Sequence, residues 1–163
     1  GSEKKGVEYS RDDLFANAQC LMTPTDKTLP VTKEKIKHMW TKIGAHVKII
    51  SPEVHDEALS FVSHLPHLSA FGLINSIPDQ FMEFASQGLK DATRIASSSP
   101  EMWSDICMAN AKNIVVSLDQ YVKILSDIRN AIAAKDQETL LTSFTNANTK
   151  RNGILPDAVD NNN

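Results

Sequence analysis

The spacing of apolar residues changes along the chain, and the change divides it. Residues 19 to 50 read as strand, helix, strand. "QCLMT" is a short apolar run that ends at the turn signal Pro24-Thr25-Asp26. Thr32 offers an N-cap to a helix in which Ile36, Met39, Trp40 and Ile43 follow the i, i+3, i+4, i+7 pattern. Gly44 is its stop signal, and "HVKII" is the second strand. Two strands joined by a crossover helix form a parallel pair, which needs neighbouring strands and cover on both faces. No other segment reads as a strand. Residues 1–51 are therefore expected to be the trailing edge of a larger α/β domain, and the chain a piece of a longer protein.

From Ser51 onward the period is helical. Ser51-Pro52-Glu53 places an N-cap, a proline at the first helical position and an acid in the first turn, and Ser99-Pro100-Glu101 repeats the device. Between them the pattern predicts a helix to about Ser76, a short one after Pro78 and a turn at Gly88. A long helix follows from about Pro100 to Ala134, with a possible break near Asn110. A last amphipathic segment carries Leu140, Leu141, Phe144 and Ala147. The expected fold is mainly α. A short βαβ remnant precedes a helical domain over residues 52–152, and a polar tail covers 153–163.

The long helix carries two apolar stripes. Ala111, Val115, Leu118, Val122, Leu125 and Ile132 lie on a heptad-like seam, with Ile114, Tyr121, Ile124 and Ile128 beside it. One stripe suffices to pack a helix on its own domain. Two predict burial on a second side, which a homodimer supplies.

Composition removes several function classes. The chain is 41% hydrophobic and 23% charged with a formal net charge of −3, and no basic stripe interleaves with aromatics to meet nucleic acid. No apolar run approaches the ~20 residues needed to span a bilayer, and no secretory signal is visible. Cys20 and Cys107 form no C-x-x-C pair and read as free thiols, so the expected location is the cytoplasm.

Three groups of polar residues invite chemistry. In "FVSHLPHLSAF" the rings of His64 and His67 fall three apart on one helical face, with Ser60 on that face and Ser63 beside it. Pro66 lacks an N–H, frees the carbonyl of Val62 and bends the helix there. The plain reading is a kinked core helix with hydrogen-bonded histidines. The alternative is a metal-dependent hydrolase using His55, Asp56, His64 and His67, which needs at least three converging ligands. Further on, "GLKDATRIASSSPEMW" sets Lys90 and Arg94 four residues apart around Asp91. The pair is either a solvated charged turn or a carboxylate clamp, with Arg94 supplying a planar fork. Trp103 is a core or interface residue, or part of that site.

Taken in order, "SPEVHDEALSFVSHLPHLSAFGL" and "GLKDATRIASSSPEMW" resemble the C-terminal helical domain of prephenate and arogenate dehydrogenases. The shared signature is His-Asp, then Ser-His-Leu-Pro-His, then Lys-Asp-x-Thr-Arg. "DLFANAQCLMTPTDKT" is similar to the end of that family's NAD-binding domain. Gly1-Ser2-Glu3 matches the last residues of the family's His-Pro-Met-Ala-Gly-Ser/Thr-Glu stretch. No G-x-G-x-x-G fingerprint occurs in the chain.

The resemblance implies oxidative decarboxylation of prephenate, or of arogenate, with NAD or NADP as cofactor, on the route to tyrosine. It implies that Arg94 binds a substrate carboxylate with Lys90 assisting, that His67 faces the substrate with Ser63 nearby, and that His64 supports the bend. Trp103 would line the pocket from its own chain or from a partner's, and Glu3 would lie near the site entrance. It assigns no catalytic residue to this chain: the general-base histidine would fall just before Gly1, and the chain alone is expected to be inactive. The competing reading is a free-standing helical module that senses tyrosine or a related acid.

Overall fold

The computed structural model describes residues 13–154. Within them the chain divides into two compact units, residues 13–56 and 57–154. The first contains β1 (Gln19–Met22), α1 (Pro30–Lys42) and β2 (His46–Ile49), with the start of α2 (Pro52–Leu59). The strands pair in parallel with Gln19 opposite His46 and Met22 opposite Ile49. Helix α1 starts at Pro30 rather than after Thr32. Proline has no N–H to lose at the first position and its φ is already helical, so it wins over the hydroxyl cap. The stop is where the sequence puts it: Gly44 has φ +90, and a Cβ there would meet the Ala16 backbone at 3.1 Å. Phe15 holds its segment to α1 by an edge-to-face packing on Trp40, the ring centroids 5.2 Å apart. The rest of the apolar face of α1, Ile36, Met39 and Ile43, is exposed.

The second unit is helical. After α2 come a π-helical turn (Ser60–His64), α3 (Leu65–Asn75), a 3-10 turn (Asp79–Phe84), α4 (Gln87–Thr93), a second 3-10 turn (Arg94–Ser97), α5 (Pro100–Ala109), α6 (Ala111–Ala134) and α7 (Gln137–Asn152). Both Ser-Pro-Glu starts are as expected: Ser51 Oγ accepts from the Val54 N–H and Ser99 Oγ from the Met102 N–H. Gly88 is not a turn but lies in the first turn of α4, whose start is set by the extended backbone of Ser86. The long helix does break at Asn110. Helix α7 returns along α6, presenting Thr139, Leu140 and Ser143, while Leu141 and Phe144 remain exposed. No helix among the described residues is long and apolar enough to cross a membrane.

Helix α6 is the axis of this unit. Ile114, Ser117 and Ala131 are buried on one side of it. Val115, Val122, Leu125 and Ile132 of the same helix are exposed. Beside them runs an open groove of about 410 Å3 lined in part by Leu68, Leu73, Leu118, Tyr121 and Leu125.

Candidate functional site

The expected kink at Pro66 is a change of helical register. At Ser60 the helix widens, and the Leu65 N–H donates to the Ser60 carbonyl five residues back. Pro66 then falls in the first turn of α3, where a missing N–H costs little. A second element supports the wide turn. Ser117 Oγ on α6 lies 3.3 Å from the Ser60 carbonyl and 3.0 Å from that of Ile114, so its one proton is shared between them. Ser60 Oγ donates to the Glu57 carbonyl at 2.7 Å. Both serines are fully buried, and each buried hydroxyl has its acceptor, as burial requires.

The π turn brings both rings of the Ser-His-Leu-Pro-His stretch onto Trp103 of α5. His67 stacks on the indole with centroids 3.8 Å apart and planes 24° apart. His64 meets the same indole edge-on, at 6.1 Å and 77°. His67 Nδ1 lies 3.0 Å from the Ser63 carbonyl, so Ser63 contributes through its backbone. His64 is buried, with Nδ1 3.3 Å from Asn110 Nδ2. Trp103 is only 7% exposed, and its indole N–H has no hydrogen-bond partner among the described residues. An unmet buried donor costs about 1–3 kcal/mol. Trp103 also walls an open, almost wholly apolar groove of about 270 Å3 with Leu68, Phe71, Pro100, Ser104 and Cys107.

Lys90 and Arg94 are exposed and do not share one helix. Helix α4 ends at Thr93, whose φ of −107 and ψ of 4 leave helical space, and Arg94 opens the following 3-10 turn. Thr93 Oγ1 donates back to the Leu89 carbonyl at 2.7 Å. Asp91, between the two cations, accepts from Gln87 Nε2 at 2.8 Å. Both α4 and the Arg94 turn pack against α3, the helix that carries His67. Glu3 lies outside the described residues.

The alternative metal set does not assemble. His55 Nδ1 lies 2.9 Å from Asp56 Oδ1, its sequence neighbour, and His64 and His67 are turned to Asn110 and Trp103 as above. Among the described residues no group of three or more histidine, cysteine or acidic side chains converges on a metal position. Cys20 and Cys107 are free thiols. Sequence reasoning missed Asn113, Ser117 and the side-chain role of Asn110. The only trace of them was Asn110 as a helix break.

The described residues thus form a parallel βαβ pair followed by a helical unit with two histidines on a tryptophan, and similarity to known proteins gives the family. Residues 51–146 match the family model "Prephenate dehydrogenase, dimerization domain", and residues 1–49 match "Prephenate dehydrogenase, nucleotide-binding domain". The chain belongs to the prephenate dehydrogenase family. It is 36% identical over 160 residues to the prephenate dehydrogenase of Bacillus subtilis, covering 94% of this chain and 43% of that protein. It is 31% identical to the cyclohexadienyl dehydrogenase of Zymomonas mobilis, covering 96% of this chain and 56% of that one. The crystal structure of prephenate dehydrogenase from Aquifex aeolicus with hydroxyphenyl propionate and NAD+ superposes with a TM-score of 0.85 at 35% identity, over 95% of this chain and 56% of that chain. The chain thus spans about half the length of these relatives.

Proposed function

We propose that this chain is the substrate-binding and dimerising part of a prephenate or arogenate dehydrogenase. In that reaction the ring hydroxyl gives its proton to a base, the ring carbon gives its hydride to a nicotinamide cofactor, and the ring carboxylate leaves as carbon dioxide. Aromatisation drives the last step. The described residues do not by themselves fit a dinucleotide: the chain has no glycine-rich phosphate turn, so its own role is toward the other substrate. The observation that carries this reading is the Trp103 indole N–H, buried without a partner among the described residues beside two imidazoles. It is a donor awaiting an acceptor, and the substrate brings carboxylates.

In this reading Arg94 grips a substrate carboxylate with Lys90 assisting. His67 and Trp103 wall the ring pocket, Ser63 orients His67, and His64 fills the bend. The second copy covers the open face of α6, where Val115, Val122, Leu125 and Ile132 are exposed. NAD or NADP binds to residues beyond those described.

The test is prephenate- or arogenate-dependent reduction of the nicotinamide by the full-length dehydrogenase. Removing the guanidinium from a charge-assisted bidentate pair in a partly desolvated cleft costs about 2–5 kcal/mol. Arg94→Ala should therefore lower kcat/KM by roughly 30-fold or more, mainly through KM. Arg94→Lys should recover only part, because the ammonium lacks the fork. A lowered melting temperature with KM unchanged would make Arg94 structural. No turnover of either acid by the wild type would remove the reading altogether.

A further inference from the structure

The second half of α7 is held by little besides its own backbone. No residue of the helix is buried, and from Phe144 to Ile154 every residue is exposed. The residues it presents to α6, Thr139, Leu140 and Ser143, all come earlier. Thr145, Asn146, Asn148, Thr149 and Asn152 are poor helix formers. A helix end of this kind opens at little cost.

Into this end is set Asn152-Gly153, the one Asn-Gly pair in the chain. Glycine after a helix commonly serves by taking the left-handed conformation. Gly153 does not, with φ −79 and ψ −10. A Cβ there would come no closer than 3.5 Å to the Lys150 carbonyl oxygen, which is ordinary contact. The fold thus has no conformational need of this glycine. What it does supply is an unshielded backbone nitrogen next to a carboxamide.

We propose that Asn152 is a site of spontaneous deamidation, with water as the co-reactant, and that the last turn of α7 sets its rate. The Gly153 amide gives its proton to solvent base and its nitrogen attacks Asn152 Cγ. The new C–N bond closes a five-membered succinimide, the Cγ–Nδ2 bond breaks, and Nδ2 takes up a proton and leaves as ammonia. Water then opens the ring. Attack at Cγ gives aspartate, and attack at the main-chain carbonyl gives isoaspartate. No electrons are transferred, and the chain gains one negative charge.

The folded helix restrains both reacting groups. Asn152 Nδ2 donates to Asn148 Oδ1 at 3.0 Å, which holds the carboxamide back along the helix. The Gly153 N–H is shared between the Thr149 and Lys150 carbonyls at 3.1 and 3.2 Å. The ring cannot close until that turn opens. Once formed, the product weakens the turn further. A carboxylate at a helix C-terminus opposes the dipole, and Lys150 and Arg151 in the same turn offset only part of this. Isoaspartate also adds a carbon to the main chain, so α7 must then end before residue 152.

The experiment incubates the purified protein at mildly alkaline pH and follows each asparagine by peptide mapping with chromatographic separation of isoaspartate. A synthetic peptide of residues 148–154 is run beside it. Asn152 should convert before any other asparagine. It should lag the peptide by no more than about tenfold, because terminal turns open with free energies near zero. Gly153→Ala should lose the modification while the melting temperature stays unchanged, since the added methyl has room. Conversion undiminished in Gly153→Ala would remove the ring mechanism. The proposal is also overturned if Asn152 outlasts the peptide by far more than that margin, or if another asparagine, such as Asn75 before Ser76, converts first. A protein rate equal to the peptide's would show that the last turn of α7 does not set it.

Discussion

Compare the buried and the exposed residues of α6. Toward the π turn, the deepest residue is a serine, Ser117, which meets another fully buried serine. A buried histidine at the end of the π turn meets a half-buried asparagine at the start of α6. By contrast, two valines, a leucine and an isoleucine of the same helix are exposed. A helix of a self-sufficient domain would show the reverse, with aliphatics inward and hydroxyls in water. The polar side is tolerated because each hydroxyl has an acceptor and the wide turn needs support. The apolar side is what a second protomer would cover. In the proposed reading the helix divides its labour: its buried residues support the site, and its exposed aliphatics are those a second copy covers.

The sharpest way to break that contrast is to charge the open side. Val122 is 59% exposed in the single chain. If a second copy covers it, Val122→Asp buries two uncompensated carboxylates per dimer. Each costs several kcal/mol, so dissociation should become easier by about a thousandfold or more. Light scattering at micromolar concentration should return twice the 18.0 kDa chain mass for the wild type and the single mass for the variant. A wild-type monomer, or a variant that still dimerises tightly, would end the assignment of this face. Residues of the polar side should be indifferent to the change.

How far the sequence foretold this division depends on the kind of signal. Local chemistry was legible. Ser51 and Ser99 cap as read, Gly44 stops α1 in a left-handed conformation, and the α5–α6 break falls at Asn110. The apolar seam of α6 was legible too, because its residues recur at helical spacing. The π turn was not, since a bond to the fifth residue back leaves no periodic trace in side chains over five residues. Ser117 was missed for a related reason. Hydrophobic periodicity passes over a serine, yet its small size lets the π turn approach α6 closely. Asn110 and His64 are 46 residues apart, and no pattern within either segment points to the other. The separation of Lys90 from Arg94 at the end of α4 likewise depended on where the helix ended, the least legible feature of any helix.

A smaller effect tests the polar side. Ser117→Ala removes the hydroxyl shared between the Ser60 and Ile114 carbonyls, leaving the Ser60 carbonyl with the Leu65 N–H alone. The net loss should be about 1 kcal/mol, or a melting temperature lower by roughly 4–8 °C for a unit of this size. Ser117→Val has no room to grow and should cost more, about 1–3 kcal/mol. The dimer should persist in both variants. If Ser117→Ala is neutral while Ser117→Val is also tolerated, the two serines do not hold the π turn and the division of α6 loses its polar half.

The smallest effect sits where α7 turns back along α6. Lys135 takes the left-handed conformation with φ 56, and Asp136 caps the next helix. One Asp136 oxygen accepts from the Thr139 N–H at 3.0 Å and the other from the Thr139 hydroxyl at 2.7 Å. These bonds, the backbone one first and then the hydroxyl, hold the Asp136 carboxyl below its ordinary value. A carboxyl depressed in the fold contributes stability that is complete above its unfolded pKa and is lost as pH falls through the folded one. The start of α7 should therefore loosen in acid, from about pH 4 downward, while neutral solution leaves it intact. Asp136→Asn keeps an oxygen to accept from Thr139 but cannot titrate, and asparagine is as good a cap as aspartate. Amide exchange of Thr139 should then become independent of pH in the acid range once the intrinsic exchange rate is divided out, with little change at neutrality. An acid-labile Thr139 amide that persists in Asp136→Asn would assign the loosening to another group, such as Glu53 or Glu101, whose carboxyls are also held low at helix starts. The cap would then be no part of what keeps α7 against α6.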